Sequence, residues 1–498
     1  MFNSKVLNTV GLLLVFLGLA MLPSCLWSVY YKEYSDIYSI LLSSIITIIF
    51  GVFLYSTKYL IKFKENKSNH MLSSSDAFTI VTLTWLLSAL FGALPFYLSN
   101  YNLTFIDSFF ESMSGLTTTG ATILGANTVF IEDLSHGLLF WRSFTQFIGG
   151  MGIILFTIAV LPILGMGGSQ LFRAEVPGPT SDKLTPRIKE TAKYLWIIYI
   201  GLIIIETLVL YAEGVIFNIE KLTFFNAICH SMTTIATGGF STFNNSILGF
   251  ENDIVSWTIM FFMFLGATNF YLHFLLITKK TFDYFNDTEF KFYISIIIII
   301  FIFTFINIST LYGYTFKNIT ASLFNTITFM STTGYTLHDY GFWPPLSQLI
   351  VFFMFFIGGM SGSTTGGIKI IRTLVVLKYI KTELRRLVHP RGLYHVKIGK
   401  NLIDDDIVRN TLGFYLFYIL IFISTSLIIS TNGFDIVTSL SISASSIGNI
   451  GPGLGAIGPS GDWSLLNTYS KLLSMFCMLL GRLEIFTVMV LLSKIFWK

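Results

Sequence analysis

GLTTTGAT, residues 115–122, sets three threonines between two glycines inside otherwise apolar sequence, and the pattern returns three times. Its counterparts are TTIATGGFST (233–242), FMSTTGYT (329–336) and SSIGNIGPG (445–453). Aligned, they bring Gly120, Gly239, Gly334 and Gly451 into register at spacings of 119, 95 and 117 residues. A repeat of that length is one structural unit, and four such units can surround an axis. Glycine frees the backbone to turn its carbonyls where a side chain would block them. Carbonyls from four loops converging on one point are what a cation filter needs.

The alignment also nominates Thr118 and Thr119, Thr237 and Gly238, Thr332 and Thr333, and Asn449 and Ile450 as the residues preceding each glycine. Gly238 and Gly239 are adjacent; Phe240 then matches Tyr335 as the residue after the glycine, which selects Gly239. The fourth stretch diverges most, with Asn449-Ile450 where the others carry Thr or Gly.

Composition places these loops in a bilayer. Of 498 residues, 53% are hydrophobic and 12% charged, and the mean hydropathy is +0.72. A soluble chain carries about 25% charged residues. Three scattered cysteines (Cys25, Cys229, Cys477) and seven histidines show no ligand spacing, which argues against a metal centre or a disulfide framework. Leu22-Pro23-Ser24-Cys25 resembles a lipoprotein cleavage site, yet the apolar run from Val6 to Tyr30 exceeds a signal segment and reads as an uncleaved first span.

A helical span needs about 20 apolar residues. Ten stretches qualify, near 6–30, 38–62, 76–99, 136–164, 192–216, 254–278, 292–314, 346–376, 411–431 and 466–496. Four shorter segments, 104–118, 222–236, 319–332 and 434–447, lie between the third and tenth of these, and each ends at a glycine loop. The expected fold is an all-α polytopic membrane protein of ten transmembrane helices. Four span–pore-helix–span repeats surround a pseudo-fourfold pore, preceded by two N-terminal helices. The corresponding units are a two-helix segment over 1–70 and repeats over 71–172, 173–281, 282–400 and 401–498.

Charge sets the orientation. With both termini inside, segments 58–70, 170–194, 279–291 and 369–409 plus the tails hold 25 of the 31 Lys and Arg residues. That asymmetry satisfies the positive-inside rule and puts the four loops on the outer side. A half-helix entering from outside then aims its partly negative carbonyl end inward, where four such ends favour a cation. The outer segments also carry Glu33, Asp36, Glu132, Asp133, Glu213, Glu220, Glu251, Asp253, Asp339 and Asp462, either a cation-concentrating mouth or a solvated face. Asp107 and Asp435 suit helix N-termini.

Two further features lie at membrane depth. IGGMSGSTTGGIK (357–369) places Gly358, Gly359, Gly362, Gly366 and Gly367 around Ser363, Thr364 and Thr365. Each interior glycine costs a helix about 1 kcal/mol, so an unwound gate loop below the pore is expected. Arg482 falls within the last span, at about 2.5–3.5 kcal/mol on insertion scales, and must face the pore or a partner. Glu484, two positions on, points elsewhere on a helix. The G-x-G-x-x-G of residues 453–458 follows no strand and is discounted as a dinucleotide site. Nothing pairs a nucleophile with a base, so no enzyme is indicated.

These motifs resemble the Trk/Ktr superfamily of potassium uptake proteins, to which the plant HKT transporters are related. The resemblance rests on GLTTTGAT, TGGFST, STTGY, GNIGPGLG, WRSFTQFIGGMGIILF (141–156), GGMSGSTTGGIK and GRLEIFTV (481–488), from about residue 70 onward. Two extra N-terminal spans favour the TrkH/TrkG branch. The resemblance implies a homodimeric pore subunit of a bacterial inner membrane, bearing a cytoplasmic nucleotide-binding TrkA-like ring. It makes the four glycines the potassium site, the 358–367 loop the gate and Arg482 its restriction. Gly120, where sodium-transporting plant relatives have serine, favours K+ over Na+, with Rb+ a usable surrogate. The basic 369–409 segment could meet anionic lipid or a protein partner; nucleic acid is not expected. The rival readings are a proton- or sodium-coupled symporter, with Glu111 or His230 as proton carrier, and a non-transporting sensor or scaffold.

Overall fold

In a computed structural model, the structure describes residues 4–61, 74–152, 188–279, 283–399 and 401–493. Helices α1 (Ser4–Tyr30) and α2 (Tyr34–Ile61) form a hairpin whose backbones touch. A methyl added at Gly11 would stand 2.6 Å from the Gly51 carbonyl oxygen, and one at Gly51 2.7 Å from that of Gly11. Small residues permit this approach, which is how helices gain contact where lipid removes the hydrophobic driving force.

A pattern then recurs. Helix α3 (Ser74–Gly92), with the short α4 (Leu94–Tyr97), leads to the short α5 (Phe105–Leu116) and to α6 (His136–Gly150). Next come α7 (Ile188–Ile216), the short α8 (Phe224–Ile235), α9 (Asp253–Ala267) and α10 (Phe270–Phe274). Helix α11 (Thr288–Tyr312) precedes the short α12 (Phe316–Met330), then α13 (Pro345–Met354) and α14 (Ile370–Val388). After a two-residue pairing of Lys397–Ile398 with Asn401–Leu402 come α15 (Asp405–Ser430), the short α16 (Ile436–Gly448), α17 (Thr468–Arg482) and α18 (Phe486–Leu492).

The long helices carry apolar residues toward the outside. On α7, Ile197, Ile204, Ile205 and Leu208 are exposed, while Tyr199, Ile203, Glu206 and Leu210 form a buried stripe at helical spacing. Only a bilayer covers so much outward apolar surface.

Among the described residues the spans number six, or up to eight when each bent pair is taken as one, where the sequence suggests ten. Among the described residues, six helices are long and apolar enough to cross a membrane: Lys5–Tyr30, Tyr34–Thr57, Ser75–Tyr97, Lys193–Ile216, Thr288–Tyr312 and Asp405–Ser430. The stretch expected over 254–278 is instead bent by 99°, because Thr268 is extended and Asn269 caps α10, accepting from the Tyr271 amide. The last stretch, expected over 466–496, bends by 119° between α17 and α18, where Glu484 and Ile485 take φ of 54°. The 346–376 stretch is split between α13 and α14, as the glycines of 357–369 anticipate. The stretch expected over 136–164 is described only to residue 152, and helix α6 ends at Gly150. Much of the basic segments 58–70 and 170–194 lies outside the described residues, as do the expected unit boundaries after 70, 172 and 281.

Candidate functional site: four glycine loops and the segment beneath them

The four short helices begin alike. Thr104, Thr223, Thr315 and Asp435 are extended N-caps whose side-chain oxygens accept from the amides of Asp107, Asn226, Asn318 and Thr438. Such caps satisfy donors that a buried helix start would otherwise orphan, each worth about 1 kcal/mol. Helix α12 starts three residues earlier than expected, because Thr315 supplies the cap. Asp107 sits in the first turn of α5 and accepts from Lys471 Nζ at 2.6 Å.

They also end alike. The amides of Thr119, Gly238, Thr333 and Ile450 reach back five residues, to the carbonyls of Ser114, Thr233, Thr328 and Ser445. This is the Schellman closure, which places the preceding residue in the left-handed region. That residue is Thr118 (φ 51°), Thr237 (52°), Thr332 (52°) or Asn449 (53°). Glycine is usual there, and a β-branched residue costs on the order of 1–3 kcal/mol. Threonine is held at three of the four positions, so its hydroxyl has a use.

Two residues later, Gly120, Gly239, Gly334 and Gly451 are again left-handed, at φ of 78°, 79°, 78° and 99°. What surrounds them closes a ring. A methyl on Gly120 would strike the Gly238 carbonyl oxygen, one on Gly239 that of Thr333, and one on Gly334 that of Ile450. One on Gly451 would stand 2.8 Å from the Thr119 carbonyl oxygen. Each glycine thus abuts the carbonyl preceding the next glycine, and the fourth loop returns to the first. Behind them stand the carbonyl ends of α5, α8, α12 and α16, each a partial negative charge. A ring of carbonyls backed by helix C-termini is chemically a seat for a desolvated cation.

Buried polar contacts fix the ring. Arg142 Nε meets Glu111 Oε1 at 2.6 Å, its Nη1 donates to the Ser241 carbonyl at 2.8 Å, and its guanidinium lies 3.6 Å over the Phe240 ring. Glu111 also accepts from the Thr122 hydroxyl and the Ile123 amide. Gln146 clamps the second loop, donating to the Gly238 carbonyl at 2.7 Å and accepting from the Phe240 amide at 3.0 Å. The Tyr335 hydroxyl lies 2.5 Å from the Thr233 hydroxyl, tying the third loop to the second. Asn449 Nδ2 donates to the Thr119 hydroxyl at 3.0 Å and to the Met478 carbonyl at 2.9 Å. The amide of Asn449 replaces the lost threonine hydroxyl and joins the fourth loop to the first.

The segment 358–367 lies against the left-handed residues. The Thr332 hydroxyl accepts from the Gly366 amide at 2.8 Å, and Thr237 reaches the Thr364 hydroxyl at 3.3 Å. A methyl on Gly366 would stand 2.7 Å from Asn449 Cβ. Arg482 Nη1 donates to the Thr118 hydroxyl at 2.9 Å and to the Thr364 carbonyl at 2.8 Å, while Nη2 donates to the Gly149 and Gly150 carbonyls. The segment is a returning loop: Gly358 N donates to the Ile368 carbonyl at 2.8 Å and Ile370 N to that of Gly359 at 3.0 Å. Lys369 Nζ ties it internally to the Thr365 carbonyl at 2.6 Å, Ser363 and Thr365 share a 2.8 Å hydroxyl contact, and Glu289 accepts from the Ser361 amide at 2.6 Å. At Gly362 (φ 70°) the chain passes Asn269, whose Oδ1 would stand 2.8 Å from an added methyl, and Gly367 (φ 64°) completes the turn.

The TrkH cation transport protein family matches this chain over residues 43–497. The Trk system potassium uptake protein TrkH of Vibrio parahaemolyticus is 37% identical over 99% of this chain and 99% of its own length. This chain belongs to the TrkH family. TrkG of Escherichia coli, also a Trk system potassium uptake protein, is 36% identical over 98% of this chain and 97% of its own. The crystal structure of the potassium transporter TrkH from Vibrio parahaemolyticus superposes with a TM-score of 0.86 at 34% identity, covering 100% of both chains.

In this TrkH-family chain, the residues nominated for the filter and the gate lie in two adjoining layers, the glycine ring and the segment touching it. Arg482 sits at the C-terminal end of α17, at a helix break rather than inside a continuous span. Glu484 pairs with Arg372 of α14, so it is indeed no partner for Arg482. The two candidate proton carriers are otherwise engaged. Glu111 is held by Arg142, and both His230 nitrogens are occupied, by the Asn226 carbonyl at 2.8 Å and the Ser241 hydroxyl at 3.0 Å. Several outer carboxylates are structural: Glu33 binds His136, Glu132 binds Asn244, and Asp462 caps a 3-10 turn. Gln146, a lone polar residue inside a span, and Glu289, in the segment expected to precede one, escaped the sequence reading because neither carries a spacing signal. Glu206 did carry one, as an acid following three isoleucines (Ile203–Ile205), and was passed over.

Proposed function

We propose that this chain is the pore-forming subunit of a bacterial potassium uptake system, conducting K+ inward through four span–pore-helix–span repeats. The observation that carries the reading is the steric closure of Gly120, Gly239, Gly334 and Gly451 on the carbonyls of Gly238, Thr333, Ile450 and Thr119. At that ring K+ exchanges water for backbone oxygens. Thr118, Thr237, Thr332 and Asn449 face inward from it, onto the segment below. The membrane potential then draws the ion in, at about 2.3 kcal/mol per charge per 100 mV.

The 358–367 loop is the gate. It hangs from three of the ring's left-handed threonines through hydrogen bonds and Arg482, and Arg482 adds a positive charge on the ion's path. The potassium-uptake names of TrkH and TrkG relatives support K+ as cargo. The same reading makes the protein a homodimer in the inner membrane, termini in the cytoplasm, gated by a TrkA-like nucleotide-binding ring. Rubidium uptake into proteoliposomes, with sodium competing, tests it. Uptake that sodium leaves intact supports a potassium pore; equal blockade by both ions rejects the selectivity, and silence in both wild type and Arg482→Ala rejects the pore.

A further inference from the structure

Glu206 lies in the middle of the Lys193–Ile216 span, fully buried, and neither carboxyl oxygen has a hydrogen-bond partner among the described residues. It is on the inward stripe of α7 with Tyr199, Ile203 and Leu210, while Ile204 and Ile205 beside it face outward. An ionised carboxylate at that depth would have at most the neighbouring Thr234 hydroxyl to offset the water it gives up, a loss of several kcal/mol or more. A carboxyl holding a proton would avoid that cost.

Among the described residues, the surroundings supply no positive charge to replace that proton. Helix α8 brings Cys229 and His230, and His230 is already committed on both nitrogens. Helix α9 carries one titratable group, Asp253, at its far end, and α10 carries Tyr271 and His273; His273 is bound to the Tyr284 hydroxyl and the Leu265 carbonyl. From α6, packed on α7 through Phe147 and Tyr199, come His136 at the outer end, held by Glu33, and Arg142, committed to Glu111. Along α7 itself lie Tyr194, Tyr199, Tyr211, Lys193 at the inner end and Glu213, which accepts from Thr258.

What Glu206 does face is the back of the glycine ring. The Thr234 hydroxyl of α8 is beside it, three residues before Thr237. Thr234 reaches the Tyr335 hydroxyl at 3.5 Å, and Tyr335 lies within electrostatic reach of Glu206 and follows Gly334 directly. We propose that Glu206 is an intramembrane proton-binding site coupled to the cation site of the ring. The coupling rests on the potassium reading above; the proton site does not. A cation in the ring favours the ionised carboxylate, so K+ lowers the proton affinity of Glu206, and by reciprocity the bound proton weakens K+ binding. A carboxyl with this role gives ion coupling a residue that Glu111 and His230 cannot supply.

Infrared spectroscopy of the full chain in lipid bilayers reads the proton directly. The expected result is a C=O stretch of an un-ionised carboxylic acid that Glu206→Gln removes. Replacing N-methylglucamine with K+ should lower the proton affinity about tenfold, seen as loss of the band at lower pH. A band that survives Glu206→Gln, or no band at any pH, overturns the site; a band indifferent to K+ overturns the coupling. Rubidium uptake on the same preparation separates the two readings. Uptake without the band rejects the proton site alone, whereas the band with no uptake in either wild type or Arg482→Ala rejects the pore and leaves the proton site supported.

Discussion

Arg482 and Thr118 are 364 residues apart and joined by a 2.9 Å hydrogen bond from guanidinium to hydroxyl. The same nitrogen reaches the Thr364 carbonyl at 2.8 Å, so one side chain fastens the first glycine loop to the 358–367 segment. The other nitrogen holds the Gly149 and Gly150 carbonyls at the end of α6. On the proposed function, a cation placed here repels a passing cation and holds the segment under the ring.

Arg482→Ala therefore should raise rubidium flux through the reconstituted protein, and Arg482→Lys should raise it less. Lysine keeps the charge but cannot span two carbonyl directions with a planar fork. Equal flux in all three proteins, at matched melting temperature, would remove Arg482 from gating.

Removing residues 362–365 should likewise raise flux, since it deletes Thr364 and its contacts to the Ile235 and Gly266 carbonyls at 2.9 and 3.1 Å. Patch or tracer measurements on folded protein decide this. Flux unchanged from wild type would mean the block lies elsewhere.

Gly334→Ser should depress potassium over sodium discrimination and the melting temperature together. Its added Cβ meets the Ile450 carbonyl and Pro452 Cδ, the latter at 2.8 Å, on backbone at φ 78°. The left-handed backbone alone costs a non-glycine residue about 1–2 kcal/mol. Gly433 is the control: it has φ 86° with nothing within 4 Å of an added Cβ, so Gly433→Ser should lower stability without touching selectivity. Identical ion competition curves for wild type and Gly334→Ser would contradict the ring as the selective site.

Glu111→Gln or Arg142→Met alone should each destabilise the protein by about 3–5 kcal/mol, because each strands a buried partner. The double variant should recover much of that loss, as replacing both charges by neutral groups often does. A double-mutant cycle on thermal unfolding in detergent measures the coupling; strict additivity would show the pair does not act as a unit.

How much of this was legible beforehand follows from what each feature needs. The short helices and their loops were readable because a polar, glycine-ended patch in apolar sequence has few other uses. Of their caps only Asp435 was readable; the threonines at 104, 223 and 315 carry no signal of their own, and Thr315 set α12 to begin earlier than its apolar pattern suggests. The bends at Thr268–Asn269 and Leu483–Ile485 were not: the flanking apolar runs read as single spans, whereas Asn269 caps a new helix and Glu484 turns to pair with Arg372. Glu206 was visible as an acid in a span, but which way it faced and what it lacked were not.

Hydropathy, repetition and backbone freedom are properties of neighbouring residues, so the membrane setting, the four glycine loops and the unwound segment can be read from the chain alone. Tertiary structure alone decided that the loops close head to tail, with Gly451 returning to Thr119, and that three left-handed threonines and Arg482 hold one segment beneath them. Those relations join residues hundreds of positions apart, and packing distance, which no local pattern encodes, is what sets them.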